Sequence, residues 1–309
     1  MSRAHFQNRV AESVFTLPTC IVVSALLWWI GGITPLHVGA WMVCLSTAYL
    51  LTEMDNVVQL IRLRTRLVPC FWLFASSCLA FLHPLLEVQL PACAMAASCF
   101  FLLRCHQRFQ PVGSVFHCFL ILSAGSLIFP HMLLLSIPFY VCLQLFMCVR
   151  TWRTLWAALI GLLLPYVAWI LWGMWKDNLH PLATHFLQLA SLPPPESWQS
   201  LPAVHLVSAV LLVVLLTVSV AYYAATSFSD KIRVRMLFST FIVLCLCVVA
   251  GMVLLPARLV TLMALLLVAS SPLVARLFTL THSRWSNGFF LLVLVTFLAL
   301  AAWIRLEAP

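Results

Sequence analysis

Residues 206–221, LVSAVLLVVLLTVSVA, and residues 289–303, FFLLVLVTFLALAAW, decide the fold. Neither run carries a charge, and neither alternates apolar with polar positions. Inside a bilayer every backbone N–H and C=O must be satisfied within the protein, which leaves helices and closed barrels. A barrel strand would alternate with period two, so these continuous runs read as membrane helices. The rest of the chain agrees. Of its 309 residues 64% are hydrophobic and 8% charged, with a mean hydropathy of +1.08. A soluble domain carries about 25% charged residues, so this composition cannot clothe a water-facing surface.

A crossing helix needs about 20 apolar residues. Runs of that kind, broken by charge, Pro and Gly, fall near 16–33, 36–52, 67–83, 88–104, 113–129, 132–149, 155–174, 203–226, 236–254, 258–276 and 287–304. The expectation is an all-α, polytopic transmembrane bundle of about eleven spans. It forms a single integral membrane domain over 1–309, with an outer loop at 175–203. The pairs 67–83/88–104 and 113–129/132–149 turn at His83-Pro84 and Pro130-His131 and are open to a re-entrant reading.

Charge orients the layout. With the N-terminus cytoplasmic, the inner segments 1–15, 53–66, 104–112, 149–154, 227–235 and 276–286 hold fourteen of the seventeen Lys and Arg. The outer segments hold Lys176, Arg258 and Arg305. Such a bias sets topology during insertion. It also accounts for the net charge of +9 without a nucleic-acid partner, since no long basic block occurs. Tryptophans near span ends, among them Trp28, Trp29, Trp152, Trp172, Trp175 and Trp303, read as interfacial anchors. Arg3 and Arg9 precede the first apolar run without a small-residue cleavage site after it, so that run is expected to stay as a signal anchor. The twelve cysteines lie mostly in apolar segments with no Cys-x-x-Cys pair, the pattern of buried small hydrophobes.

Polar chemistry concentrates in two places. The loop after Trp175 reads WKDNLHPLATHFLQLASLPPPESWQSLPA. His180-Pro181 suits a helix start, and Leu182, Phe186 and Leu189 place an apolar side on a short interfacial helix. Asp177, His180, His185 and Glu196 are its candidate catalytic groups, Asp177 or Glu196 as base and a His as acid or metal ligand. Glu87, close to an outer turn, joins them. A loop in water carries polar residues for that reason alone, and His180 and His185 are not at the i, i+4 spacing of paired metal ligands. No metal or cofactor is implied. The second place is 53–66, read as an amphipathic connector at the inner surface, with Arg62, Arg64 and Arg66 as candidate ligands for a lipid phosphate. The central thirds of the spans hold almost no charge, which weighs against a proton-coupled pump. P-loop glycines, Gly-x-Ser-x-Gly and His-Glu-x-x-His are absent.

Residues 6–13 (FQNRVAES), the stretch Leu102 to Pro165 and residues 230–235 (DKIRVR) resemble an uncharacterised family of multi-pass inner-membrane proteins of Bacteroidetes. That resemblance implies a bacterial inner membrane and carries no activity. Residues 120–130 (LILSAGSLIFP), Arg150 to Arg153 and residues 159–165 (LIGLLLP) are similar to the middle of polytopic glycosyltransferases that use polyprenyl-phosphate sugars. Those enzymes place a catalytic acid in a long first outer loop, whereas here that loop is about Gly32 to Pro35 and holds none. Three expectations follow. One is a glycosyltransferase-like protein of envelope glycan or lipid-linked sugar metabolism, working at the outer face on a polyprenyl-linked substrate. Another is a non-catalytic scaffold subunit, bound to a membrane partner through small-residue faces such as Ala94 to Ser98. The third is a transporter or flippase for a weakly charged substrate.

Overall fold

The computed structural model describes residues 6–307 except 31, 33, 59–64, 107, 109, 179, 191–197, 200 and 282. Its helices are α1 (Phe6–Glu12), α2 (Thr16–Trp29), α3 (Pro35–Val58), α4 (Leu67–Cys78), α5 (Leu90–Arg104), α6 (Val112–Ile128), α7 (Ser136–Leu145), α8 (Trp152–Trp175), α9 (His180–Ala190), α10 (Ala203–Thr226), α11 (Ile232–Leu254), α12 (Leu259–Leu280) and α13 (Arg284–Glu307). Among the described residues there is no strand. Among the described residues each of the eleven apolar runs lies largely on helix.

Among the described residues seven helices are long and apolar enough to cross a membrane: α3, α8, α10, α11, α12, α13, and α5 with the π-turn Leu85–Gln89 that precedes it. The pair α1–α2, bent by 98°, makes up to eight. This suggests a membrane protein. The shorter apolar helices are Leu67–Cys78, Val112–Ile128 and Pro130–Leu145, all three within the pairs whose crossing the sequence leaves open. A 3-10 turn at Ala80–Leu82 and another at Pro130–Leu135 shorten them, because Pro84 and Pro130 interrupt the hydrogen-bond ladder.

The bundle is organised around α12. Every residue from Thr261 to Thr279 is buried, against α4, α5, α10 and α11. Pro272 inside α12 cannot donate to the helix, and the hydroxyls of Ser270 and Ser271 both donate to the Leu267 carbonyl one turn earlier. α8 lies at the opposite extreme. It buries Ala157, Ala158 and Gly161 against α6 and turns Leu159, Ile160, Leu163, Val167 and Leu171 outward. In water that strip would be an aggregation site; in lipid it is ordinary surface.

Side-chain contacts sort the helix ends into two sets. At the end that carries α1, Gln7 Nε2 donates to Thr281 Oγ1 at 2.9 Å and to the Phe278 carbonyl. There too, Thr65 Oγ1 donates to the Ala11 carbonyl, Arg233 to the Val58 carbonyl, and Arg153 to Gln110. At the far end Arg305 donates to the Leu27 carbonyl at 2.6 Å, Thr261 to the Glu87 carbonyl, Trp28 stacks on His83 and Phe81 meets His205. Among the described residues Arg9, Arg66, Arg233 and Arg284 belong to the α1 end.

Three expectations need correction. Residues 53–58 are the last turns of α3, so Glu53 and Asp55 stand at a helix C-terminus and not at the start of a separate connector. Trp28 is no interfacial anchor: it is 2% exposed and its ring lies 3.6 Å from that of His83. The small residues Ala94 to Ser98 are spent inside the chain. Ala96 and Ser98 are buried, and Gly125 of α6 packs so closely that an added Cβ would stand 2.8 Å from the Ala94 methyl. Small side chains let two backbones approach, and here both helices belong to one protein.

Candidate functional site

At the far end, α9 lies against α8 and the turn that follows α6. Its inward residue is His185, 6% exposed. The Nε2 atom stands 3.2 Å from the Tyr166 hydroxyl, which is 2.7 Å from Ser126 Oγ. Ser126 Oγ in turn lies 2.6 Å from the Ser123 carbonyl. Trp169 meets the imidazole edge-on at 5.1 Å, and Phe186 stacks on Tyr166. Burial pushes the His185 imidazole below its ordinary 6.5, so near neutral pH the ring is uncharged and able to take a proton.

His131 lies on the turn after α6 against which α9 packs. It is 8% exposed, and neither ring nitrogen has a hydrogen-bond partner among the described residues. His185 and the Arg258 cation both act on it electrostatically. A buried imidazole with two unsatisfied nitrogens is costly and calls for a water or ligand. Two imidazoles, a phenol and a nearby guanidinium can hold a phosphate or hydroxyl-rich head and move a proton on it.

The other predicted groups do not join this cluster. Asp177 is exposed and adopts φ 49° where α8 ends, while the Asn178 N–H donates to the Gly173 carbonyl at 2.9 Å. That is a left-handed helix stop, which Asp tolerates better than most residues. His180 is exposed, its backbone N–H capped by Asn178 Oδ1. Glu87 is exposed on the π-turn, and only its backbone carbonyl is engaged by α12. Among the described residues no hydrogen bond or ion pair links Asp177, His180, Glu87 and His185. Glu196, Arg62 and Arg64 lie outside the described residues. Arg66 is exposed at the start of α4. No group of three or more metal-binding side chains occurs among the described residues.

Tyr166 escaped the sequence reading, though a tyrosine beside Pro165 in the middle of an apolar run was the available signal. So did the buried pair Asp230–Arg276. Arg276 reads as the last residue of its span and Asp230 as a loop acid, but α12 continues to Leu280 and carries Arg276 inside. No family model, curated protein or solved structure matches the chain.

Proposed function

We propose that the chain is a bacterial inner-membrane protein of about eleven crossings, with its N-terminus in the cytoplasm. Its outer face binds the polar head of a lipid-linked substrate. Fourteen of seventeen cations fall in the segments assigned inside, the bias that holds loops in the cytoplasm. The far end, with α9, then faces outward.

The observation that carries the site is the buried chain His185–Tyr166–Ser126 beside the unpartnered His131. His185 accepts the proton of the acceptor hydroxyl as that oxygen bonds the anomeric carbon of the sugar, and the polyprenyl phosphate leaves with the electrons of the broken C–O bond. Tyr166 orients the imidazole, and Arg258 offsets the charge of the departing phosphate. Glycosyl transfer from a polyprenyl-phosphate sugar is the reaction class, with His185 taking the base role first assigned to an acid. The test is His185→Ala, Tyr166→Phe and Asp177→Ala in a strain where deleting the gene alters envelope glycans. His185→Ala reproduces the deletion, Tyr166→Phe weakens the product, and Asp177→Ala does not change it. Full activity of His185→Ala would overturn the catalytic reading.

A second reading, a non-catalytic subunit of a membrane complex, draws on the outward face of α9. There His180 and Leu187 are exposed beside Asp177 and Trp175, 82% exposed. Co-purification of a partner that is lost on changing Leu187 to Glu, with His185→Ala silent, selects it.

A further inference from the structure

We infer a binding site for one anionic phospholipid at the α1 end of the bundle, separate from the outer pocket and independent of it. A cavity of about 120 Å³, partly open, lies between α1, α2, α4, α12 and α13. Phe71, Phe74, Phe278, Phe290 and Phe297 supply aromatic walls. Phe297 meets Phe71 and Phe74 edge-on at 6.2 and 6.1 Å, and Phe278 meets Phe290 at 5.0 Å.

The cavity offers water almost nothing. Its hydroxyl, Thr16 Oγ1, is spent on the Val10 carbonyl at 2.6 Å, and the thiols of Cys20 and Cys70 face each other. An apolar cavity of about 150 Å³ stays dry and takes hydrocarbon. Left empty, this one would cost its aromatic walls their dispersion contacts. A lipid tail is the hydrocarbon at hand in a bilayer.

The charges at the same end say which lipid. Arg9 precedes the lining residue Val10, Arg66 precedes Leu67, and Arg284 opens the helix that brings Phe290 and Phe297. All three are exposed and form no ion pair among the described residues. The Cys70 N–H donates to the Arg66 carbonyl at 3.3 Å, so Arg66 stands one helical turn before the lining residue Cys70. Glu12 is the acid nearest Arg9 in sequence and Asp55 the acid nearest Arg66. Three exposed cations over a hydrocarbon slot match a phosphate head with part of a tail buried. A zwitterionic head would bring its own cation and gain less.

The experiment uses the full chain in mild detergent, mixed with phosphatidylglycerol or phosphatidylcholine of identical chains, and read by native mass spectrometry. One phosphatidylglycerol per chain is retained with about tenfold preference or more. Arg66→Gln with Arg284→Gln abolishes the preference, and Arg305→Gln at the far end leaves it intact. Excess inorganic phosphate does not displace the lipid, because the tail is part of the site. Equal retention of both lipids by the unaltered protein, an unchanged preference in the double variant, or displacement by phosphate alone would each overturn the proposal. Should the double variant fail to fold, phosphatidylglycerol with a photoreactive group in its chain decides on the unaltered protein. Adducts on the peptides containing Phe71 and Phe290 support the site, and adducts confined to α8 refute it. His185→Ala leaves every one of these readings unchanged, so this site and the outer pocket stand or fall separately.

Discussion

Arg276 Nη1 lies 2.5 Å from a carboxylate oxygen of Asp230, and both side chains are 3% exposed. The guanidinium is held between the rings of Tyr223 and Phe238, each 5.0 Å from its carbon, and donates to Thr226 Oγ1 at 3.3 Å. The pair joins the turn after α10 to the central helix and so fixes how α10, α11 and α12 meet at the basic end.

Breaking this pair by removing one partner leaves the other charge buried and unmatched, a loss of about 3–5 kcal/mol. Arg276→Met and Asp230→Asn are each expected to lower the melting temperature in detergent sharply. The double variant should recover a large part of the loss, since two neutral groups need no compensation. Equal, additive losses in a double-mutant cycle would show that the two residues act separately.

The docking of α9 should depend on pH through His185. Burial lowers its pKa below 6.5 in the docked state, so the undocked state binds the proton more readily. Stability from docking is therefore complete above about 6.5 and falls as pH drops through that value toward the lowered one. Protection factors for hydrogen exchange at 181–189, which correct for the base-catalysed intrinsic rate, should fall between pH 7.5 and about 5. His185→Gln, which keeps a hydrogen-bonding group toward Tyr166, reduces that dependence. Protection factors independent of pH in the unaltered protein would refute the link.

Glycines give a graded test of helix contact. An added Cβ at Gly161 would stand 2.6 Å from the Phe116 carbonyl oxygen and 3.1 Å from the Leu120 nitrogen. Both are backbone atoms of α6 and cannot swing aside, so Gly161→Ala should cost about 1–3 kcal/mol by forcing α8 away. Gly113 meets nothing within 4 Å. Gly113→Ala should be neutral or stabilising by up to about 1 kcal/mol, through helix propensity alone. Melting temperatures of the two variants check the order.

How much of this was legible in the sequence follows from what hydrophobicity can report. Runs such as 206–221 mark helices whatever they pack against, so the helical segments were readable. Which side of a helix faces inward was not, because lipid accepts apolar side chains as readily as the core does. On α9 the apolar pattern nominates Leu182, Phe186 and Leu189. The structure turns His185 inward and leaves Phe186 43% exposed, since Tyr166 offers the imidazole a partner. Arg276 shows the complementary failure. A charge at the edge of an apolar run reads as a loop residue, and only the fold reveals Asp230 waiting beside it. Asp177, nominated for its chemistry, also stops a helix, a role that lives in φ rather than in composition.

The proposed function rests on sidedness: with the α1 end in the cytoplasm, His185 and α9 would face the outer compartment. The most direct test is impermeant labelling of single cysteines, placed in a cysteine-free background at Ser13, Cys148, Ser229 and Ser283 on the basic end, and at Thr34, Asn178 and Gln199 on the far end. Intact cells should label all three far-end positions and none of the basic-end positions, which become reactive only after permeabilisation. Labelling of Asn178 and Cys148 from the same side would contradict the account.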